Sequence, residues 1–167
     1  SGAILCRVAK NHIRFGSFEH FYYSEQPDAL IALIDYSINR HFPEWNNLKD
    51  KYERFFTNTI LKTASLIAKW QSVGFCHGVL NTDNMCILGN TLDYGPFGFL
   101  DRYDPMWICN TSDYNGRYSF HNQPSVGLWN LNALATCFSK LIKKEKIISK
   151  LRLYEPALVK EDRALMN

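Results

Sequence analysis

Leu30, Ile31, Leu33, Ile34 and Ile38 recur at spacings of three and four, and Pro27-Asp28 ahead of them supplies a helix start, so a helix is predicted from Pro27 towards Pro43. A longer helix is predicted over about residues 48–73. Ile60, Ala64, Ile67 and Ala68 form its inner stripe, Lys51, Glu53, Arg54, Lys62 and Lys69 its outer face, and Gly74 its stop. A third helix is predicted over about residues 126–143, with Leu128, Leu131, Leu134, Ala135, Phe138 and Leu141 inward. Between the last two the period changes. Met85, Cys86, Ile87 and Leu88 form a short apolar run, Gly89-Asn90 is a two-residue turn signal, and Thr91-Leu92 lead back, which predicts a small β-hairpin. The opening SGAILCRVAK reads as a strand with no turn or cap before it, the aromatic stretch NHIRFGSFEHFYY as a loop, and residues 95–124 as irregular. The abrupt opening suggests a fragment of a longer chain.

With 167 residues, 46% hydrophobic and 14% aromatic, the chain can bury one sizeable core but not two comfortable domains. A net charge of +3 and a pI near 8.6 fall short of the clustered basic footprint of a nucleic-acid binder. The basic run from Lys140 to Arg152 is interleaved with Leu141, Ile142, Ile147, Ile148 and Leu151, so it reads as the solvated face of a helix. The five cysteines are odd in number, scattered and never in a C-x-x-C pair, which favours reduced, buried thiols and a reducing compartment. No apolar run approaches the ~18 residues of a membrane span, and no leader is evident.

The chemistry concentrates in HGVLNTDNMCILGNTLD, residues 77–93, followed by Tyr94 and Gly95. Closing the hairpin returns Asp93 towards Asp83 and Asn84, so that three oxygen-bearing side chains converge. An amide and a carboxylate suit a hard cation such as Mg²⁺, which takes one or two protein oxygens together with phosphates and water. Protein kinases give this work to the catalytic-loop Asn and the Asp of D-F-G. The kinase loop H-R-D-x-x-x-x-N runs seven positions from His to Asn, as His77 to Asn84 does, and Asp93-Tyr94-Gly95 stands in the place of D-F-G. The position of the kinase base holds Val79, which cannot accept a proton, and an aspartate stands instead at Asp83. Each residue also has a structural reading: His77 can hold the loop through backbone hydrogen bonds, and Asn81, Asp83 and Asn84 are common turn and cap formers. Cys76 and Cys86 flank the stretch without the spacing of a zinc site.

HGVLNTDNMCILGNTLDYGPFGFLDRYDP, with RVAKNHIRFGSFEHF before it and ICNTSDYNGRYSFHNQPSVGLWNL after it, closely resembles the selenoprotein O family over about residues 2–141. Its members are similar to protein kinases in fold but hold ATP inverted, so that AMP is transferred to Ser, Thr or Tyr hydroxyls of proteins. The resemblance implies an α+β, protein-kinase-like architecture, with residues 1–24 ending the N-lobe and hinge and residues 25–167 forming a mostly helical C-lobe. It implies Asp83 as proton acceptor, Asn84 and Asp93 as ligands of Mg²⁺ or Mn²⁺, Asp93 also near the nucleotide, and Arg7 and Arg14 on its phosphates. A guanidinium suits that task because it clamps phosphate oxygens bidentately, whereas the ordinary reading of both arginines is surface ion pairing.

The glycine-rich segment, the ATP-contacting Lys and its Glu partner would lie upstream of Ser1, so the expected partners are ATP, hydroxyl-bearing protein substrates and the N-lobe of the full-length chain. A C-lobe without that N-lobe is expected to show an apolar seam at Ile4, Phe15 and Phe18 and weak or no activity alone. No nucleic-acid or membrane partner is expected, and the location is cytoplasmic for a bacterial protein or mitochondrial for a eukaryotic one. The alternatives are a non-catalytic nucleotide-binding pseudokinase module, uridylyl transfer, or phosphoryl transfer.

Overall fold

The computed structural model describes Gly2, Ile4, Cys6 and residues 8–166. Its regular structure is mainly helical: α1 (Phe15–Tyr23), α2 (Pro27–His41), α3 (Lys51–Ser72), β1 (Phe75–Cys76), β2 (Gly98–Phe99), α4 (Gln123–Cys137), α5 (Lys144–Leu151) and α6 (Tyr154–Met166). The two strands pair antiparallel, Phe75 opposite Phe99 and Cys76 opposite Gly98. The mixture is α+β, as predicted, with little strand.

The two most periodic predictions hold. Leu30, Ile34 and Ile38 of α2 are buried, and Ile60, Ala64, Ile67 and Ala68 of α3 are fully enclosed while Lys62 and Lys69 stay outside. Gly74, at φ +68°, takes the left-handed conformation just past α3, where a side chain would be strained.

Five expectations are corrected. The aromatic stretch read as a loop forms α1, because Phe15 and Phe18, three apart, both bury completely, and burying such a ring is worth about 1.5–3 kcal/mol. That burial also removes Phe15 and Phe18 from the expected apolar seam, of which Ile4 is exposed. The third helix ends at Cys137, and the chain turns through Leu141 and Ile142 before the basic run forms the separate helix α5, with Ile147 inward and Lys144, Lys146 and Lys150 outward. The irregular segment at 95–124 contributes β2. Of the predicted opening strand, Ser1, Ala3, Leu5 and Arg7 lie outside the described residues, and its described residues are not strand.

Phe138, just past α4, is the hub of the core: its ring centroid lies 5.4 Å from Phe56, 6.1 Å from Phe55 and 6.4 Å from Phe18. The loop after α2 adds Phe42 stacked on Trp45 at 4.2 Å. α6 lies along α3, where Ser65 Oγ donates to Glu161 Oε1 at 2.9 Å, and Tyr154 Oη donates to Pro124 O at 2.9 Å, tying α6 to the start of α4. These contacts hold α3 and α4 against one another, and the loops between them carry the residues of interest.

Candidate active site

The loop from His77 to Asn84 leaves β1 and is held mainly by neutral side chains. His77, 1% exposed, brings its Nε2 to 2.6 Å from Leu92 O, so Nε2 carries the proton and Nδ1 is left to accept from Val79 N at 3.4 Å. Burial holds its pKa below the ordinary 6.5, against the opposing pulls of Leu92 O and the Asp93 charge, so the ring is neutral at pH 7. From α4, Gln123 Nε2 donates to Phe75 O at 2.9 Å while its Oε1 accepts from His77 N at 2.9 Å. Asn130, also on α4 and fully enclosed, donates from Nδ2 to Leu80 O at 2.9 Å. The structural reading of His77 is therefore the right one: it ties the loop to the segment that carries Asp93.

Asp83 and Asn84 share the 3-10 turn Thr82–Asn84 and face different surroundings. Asn84, 5% exposed, donates from Nδ2 to Val79 O at 2.7 Å, while its Oδ1 is buried with no hydrogen-bond partner. Asp83 is exposed and lies over the first turn of α1, where a Cβ placed on Gly16 would come within 2.0 Å of Asp83 Oδ1. The absence of a side chain at Gly16 gives the carboxylate its place. A cavity of about 330 Å³ opens beside it, lined by Gly16, Glu19, His20, Tyr23, Thr82 and Asp83 among others. Arg14, at the α1 N-terminus, donates from Nη1 to Asp83 O at 2.9 Å and takes no part in the described ion pairs, Lys51–Asp35, Arg54–Asp50 and Lys146–Glu53. Arg14 thus braces the main chain of Asp83; Arg7 lies outside the described residues.

The predicted hairpin is corrected to a single antiparallel bridge, Met85 with Thr91, while Cys86 bridges instead to Arg14. The turn is wider than two residues. Gly89, at φ +69°, approaches α3 so closely that a Cβ there would lie 2.7 Å from Lys62 O, which fixes the chain reversal by contact with a helix. The one bridge still returns the chain, so that Asn84 and Leu92 flank it on the same side. Asp93 follows, exposed, at φ +60°, a left-handed conformation uncommon outside glycine though more accessible to aspartate than to most residues, with Gly95 N donating to its carbonyl at 2.8 Å. Such strain persists where the surroundings over-determine it, and His77 holding Leu92 O supplies that constraint.

The donors fit a hard divalent cation. Asn84 Oδ1 is a desolvated oxygen without a partner, and Asp93 is an accessible carboxylate two residues from the bridge. Among the described residues no cluster of three His, Cys, Asp or Glu could hold a metal, so a cation here relies on these two side chains, phosphates and water. On the other side of the loop, Cys109 Sγ donates to Cys76 O at 3.4 Å. The neighbouring Cys109 thiol holds Cys76 below the ordinary thiol value, while the Cys76 thiol and burial push Cys109 up. No disulfide links cysteines among the described residues, and Cys76, Cys86 and Cys137 are buried. Sequence reasoning missed Gln123 and Asn130, whose partners lie 46 and 50 residues away, and Gly16, whose role is to be absent as a side chain.

A sequence profile of the family described as protein adenylyltransferase SelO matches residues 1–167. The chain belongs to the SelO family. Similar curated proteins, each called protein nucleotidyltransferase YdiU, come from Pectobacterium carotovorum subsp. carotovorum strain PC1, 54% identical over 166 residues, 99% of this chain and 34% of that protein; from Enterobacter sp. strain 638, 54% identical over 166 residues, 99% of this chain and 35% of that protein; and from Yersinia pseudotuberculosis serotype O:1b, 55% identical over 158 residues, 95% of this chain and 33% of that protein. The chain thus spans about a third of the length of these SelO-family relatives. Nucleotidyl transfer to protein is the activity their name states. No helix among the described residues is long and apolar enough to cross a membrane.

Proposed function

We propose that this chain is the metal- and nucleotide-holding part of a protein adenylyltransferase with a protein-kinase-like C-lobe, transferring AMP from ATP to Ser, Thr or Tyr hydroxyls in the presence of Mg²⁺ or Mn²⁺. The observation that carries the reading is the pairing of Asn84, whose buried Oδ1 lacks a partner, with the exposed Asp93 that the Met85–Thr91 bridge returns towards it. A divalent cation held there neutralises phosphate charge and orients the nucleotide.

Val79 leaves the usual kinase base position without a proton acceptor, and Asp83 on its exposed turn takes that role. The acceptor hydroxyl enters by the cavity beside Gly16 and gives its proton to an Asp83 carboxylate oxygen as its own oxygen forms a bond to the α-phosphorus; the bond from that phosphorus to the bridging oxygen breaks and pyrophosphate leaves. Arg14, with Arg7, balances the charge of the departing phosphates, as a guanidinium does well. Its bond to Asp83 O holds it at the edge of the same turn. Residues 1–24 belong to the end of the N-lobe and hinge in this reading, and the rest of the N-lobe completes the site, so the chain by itself is weakly active or inactive. Its place is the cytoplasm in a bacterium and the mitochondrion in a eukaryote.

The name shared by the relatives says nucleotidyltransferase without specifying a base, which keeps UTP beside ATP as a donor. Intact-mass analysis of a protein substrate incubated with the full-length protein, Mg²⁺ and either nucleotide decides the matter. An adenylyl mass gain supports the proposal, a uridylyl gain changes the donor, a phosphoryl gain overturns it, and nucleotide-dependent thermal stabilisation without any transfer makes the protein a pseudokinase.

A further inference from the structure

The proposed metal ligand Asp93 is an exposed residue in a left-handed backbone conformation, so something other than its own burial must fix its direction. The contacts that do so run back through the protein interior. Leu92 O, the carbonyl joined to Asp93 N, accepts from His77 Nε2 at 2.6 Å. His77 is in turn held at its backbone N–H by Gln123 Oε1 at 2.9 Å, while Gln123 Nε2 is committed to Phe75 O at 2.9 Å. Both amide atoms of Gln123 are therefore used, on main-chain atoms two residues apart, and both Gln123 and His77 are 1% exposed. Gln123 stands at the start of α4, a helix packed against α3 and α1, so it cannot drift with the loop.

We infer that Gln123 is a positioning residue for Asp93, acting through His77 to fix the carboxylate that faces the divalent cation. The inference rests on the metal-site reading given above. A side chain bridging Phe75 O and His77 N sets how far β1 extends before the loop begins, and hence where the imidazole ring lies. Loss of that bridge lets the ring tilt, lengthens the 2.6 Å bond to Leu92 O and frees Asp93 to leave its left-handed conformation. Groups that orient ligands in this way change metal affinity by about 10- to 100-fold when removed. Asn130 serves the neighbouring Leu80 O and does not reach Leu92, which makes it the natural comparison.

The test uses the full-length protein. Gln123→Met keeps the length of the side chain and removes both hydrogen bonds; Gln123→Glu, whose enclosed carboxyl takes up a proton, keeps an acceptor for His77 N–H and a donor for Phe75 O. Mn²⁺ binding is followed by electron paramagnetic resonance of the free ion, and amide hydrogen exchange over residues 92–95 is followed in metal-free protein. Gln123→Met is expected to weaken Mn²⁺ binding about tenfold or more and to speed exchange over residues 92–95, with Gln123→Glu lying nearer to wild type in both. Wild-type exchange and wild-type Mn²⁺ affinity in Gln123→Met overturn the inference, as does equal impairment of Gln123→Met and Gln123→Glu. Should wild type bind no Mn²⁺, or Asp93→Ala bind it unchanged, the metal-site reading itself falls, and the exchange data still decide whether Gln123 governs the Asp93 segment.

Discussion

Gly16→Ala separates folding from catalysis, because its effects on the two have opposite signs. Gly16 lies in the first turn of α1, and alanine in a helix is favoured over glycine by about 1 kcal/mol. Yet the new methyl carbon would stand 2.0 Å from Asp83 Oδ1 and 3.0 Å from Asp83 Cγ, against the 3.4 Å or more of an ordinary contact. The carboxylate must retreat by about 1.4 Å, and since Asp83 is exposed it can do so at little cost in stability. A displacement of about 1 Å at a reacting group costs on the order of 100-fold in rate, which corresponds to about 2.7 kcal/mol of barrier. The full-length Gly16→Ala protein is therefore expected to keep or raise its thermal midpoint while its rate of the proposed nucleotidyl transfer falls by about two orders of magnitude. Intact-mass kinetics on a protein substrate and differential scanning calorimetry measure the two quantities. Placing Gly16→Ala in an Asp83→Ala background closes the cycle: with the carboxylate gone, the methyl group has little left to disturb. Unchanged transfer by Gly16→Ala, or a full further loss on top of Asp83→Ala, would refute the assignment of Asp83 as proton acceptor.

Three further outcomes are expected. Asp93→Ala removes the accessible carboxylate of the pair, so Mn²⁺ binding and nucleotide transfer by the full-length protein should both disappear, and transfer persisting at the wild-type Mg²⁺ dependence would exclude Asp93 as a ligand. Gly78→Ala meets a backbone at φ +79° and a Cys109 Sγ only 2.5 Å from the new Cβ; thermal or urea unfolding should show a loss of about 2–4 kcal/mol, with only the backbone share of about 1–2 kcal/mol left in a Cys109→Ala background. His77 titrates below its ordinary 6.5 in the folded state, so the unfolded chain binds more protons between the two values and stability must fall as pH drops below about 6.5, with a slope of at most about 1.4 kcal/mol per pH unit from this residue. His41 is lowered as well, by burial and then by Arg40 and Lys10, so the diagnostic measurement is how much of the slope His77→Gln removes.

The parts of the fold that were legible in the sequence are those whose periodicity is not interrupted. α2 and α3 carry apolar residues on one face and charge on the other, with a proline or glycine at an end, and their limits lie within a few residues of expectation. α1 was hidden because aromatics occupy most of its nine positions, leaving burial of Phe15, and of Phe18 against Phe138, more than 100 residues further along the chain, to select the helix. The hairpin failed for a related reason. Gly89-Asn90 does mark a reversal, but Gly89 rests on Lys62 of α3 and Cys86 turns to Arg14, so tertiary contacts take over the pairing that a local turn would have made. The site divides in the same way. Asp83, Asn84 and Asp93 stand at spacings that a linear motif records, whereas Gln123, Asn130 and Gly16 act on those residues only once helices from distant parts of the chain have met.

That division has a physical basis in charge. Each side chain found holding the loop from within is neutral: Gln123 and Asn130 as carboxamides, His77 as a buried imidazole held unprotonated, Asn84 through its Nδ2. Aspartate at position 123 would face Phe75 O with a second acceptor, and buried carboxylates beside the loop would either protonate or compete for a cation, because an ion without a partner is expensive to enclose. Carboxamides and imidazole give directed hydrogen bonds without that competition. Asp83 and Asp93 stay exposed on opposite ends of the turn-and-bridge segment, so their charge is available for the roles proposed for them, towards a substrate proton and a metal ion. Asn84 spans both roles, with one amide atom given to the scaffold and the other left without a protein partner. An Asn84→Leu variant would surrender both at once, which is why the two roles have to be probed separately, at Asp93 for the metal and at Gln123 for the scaffold.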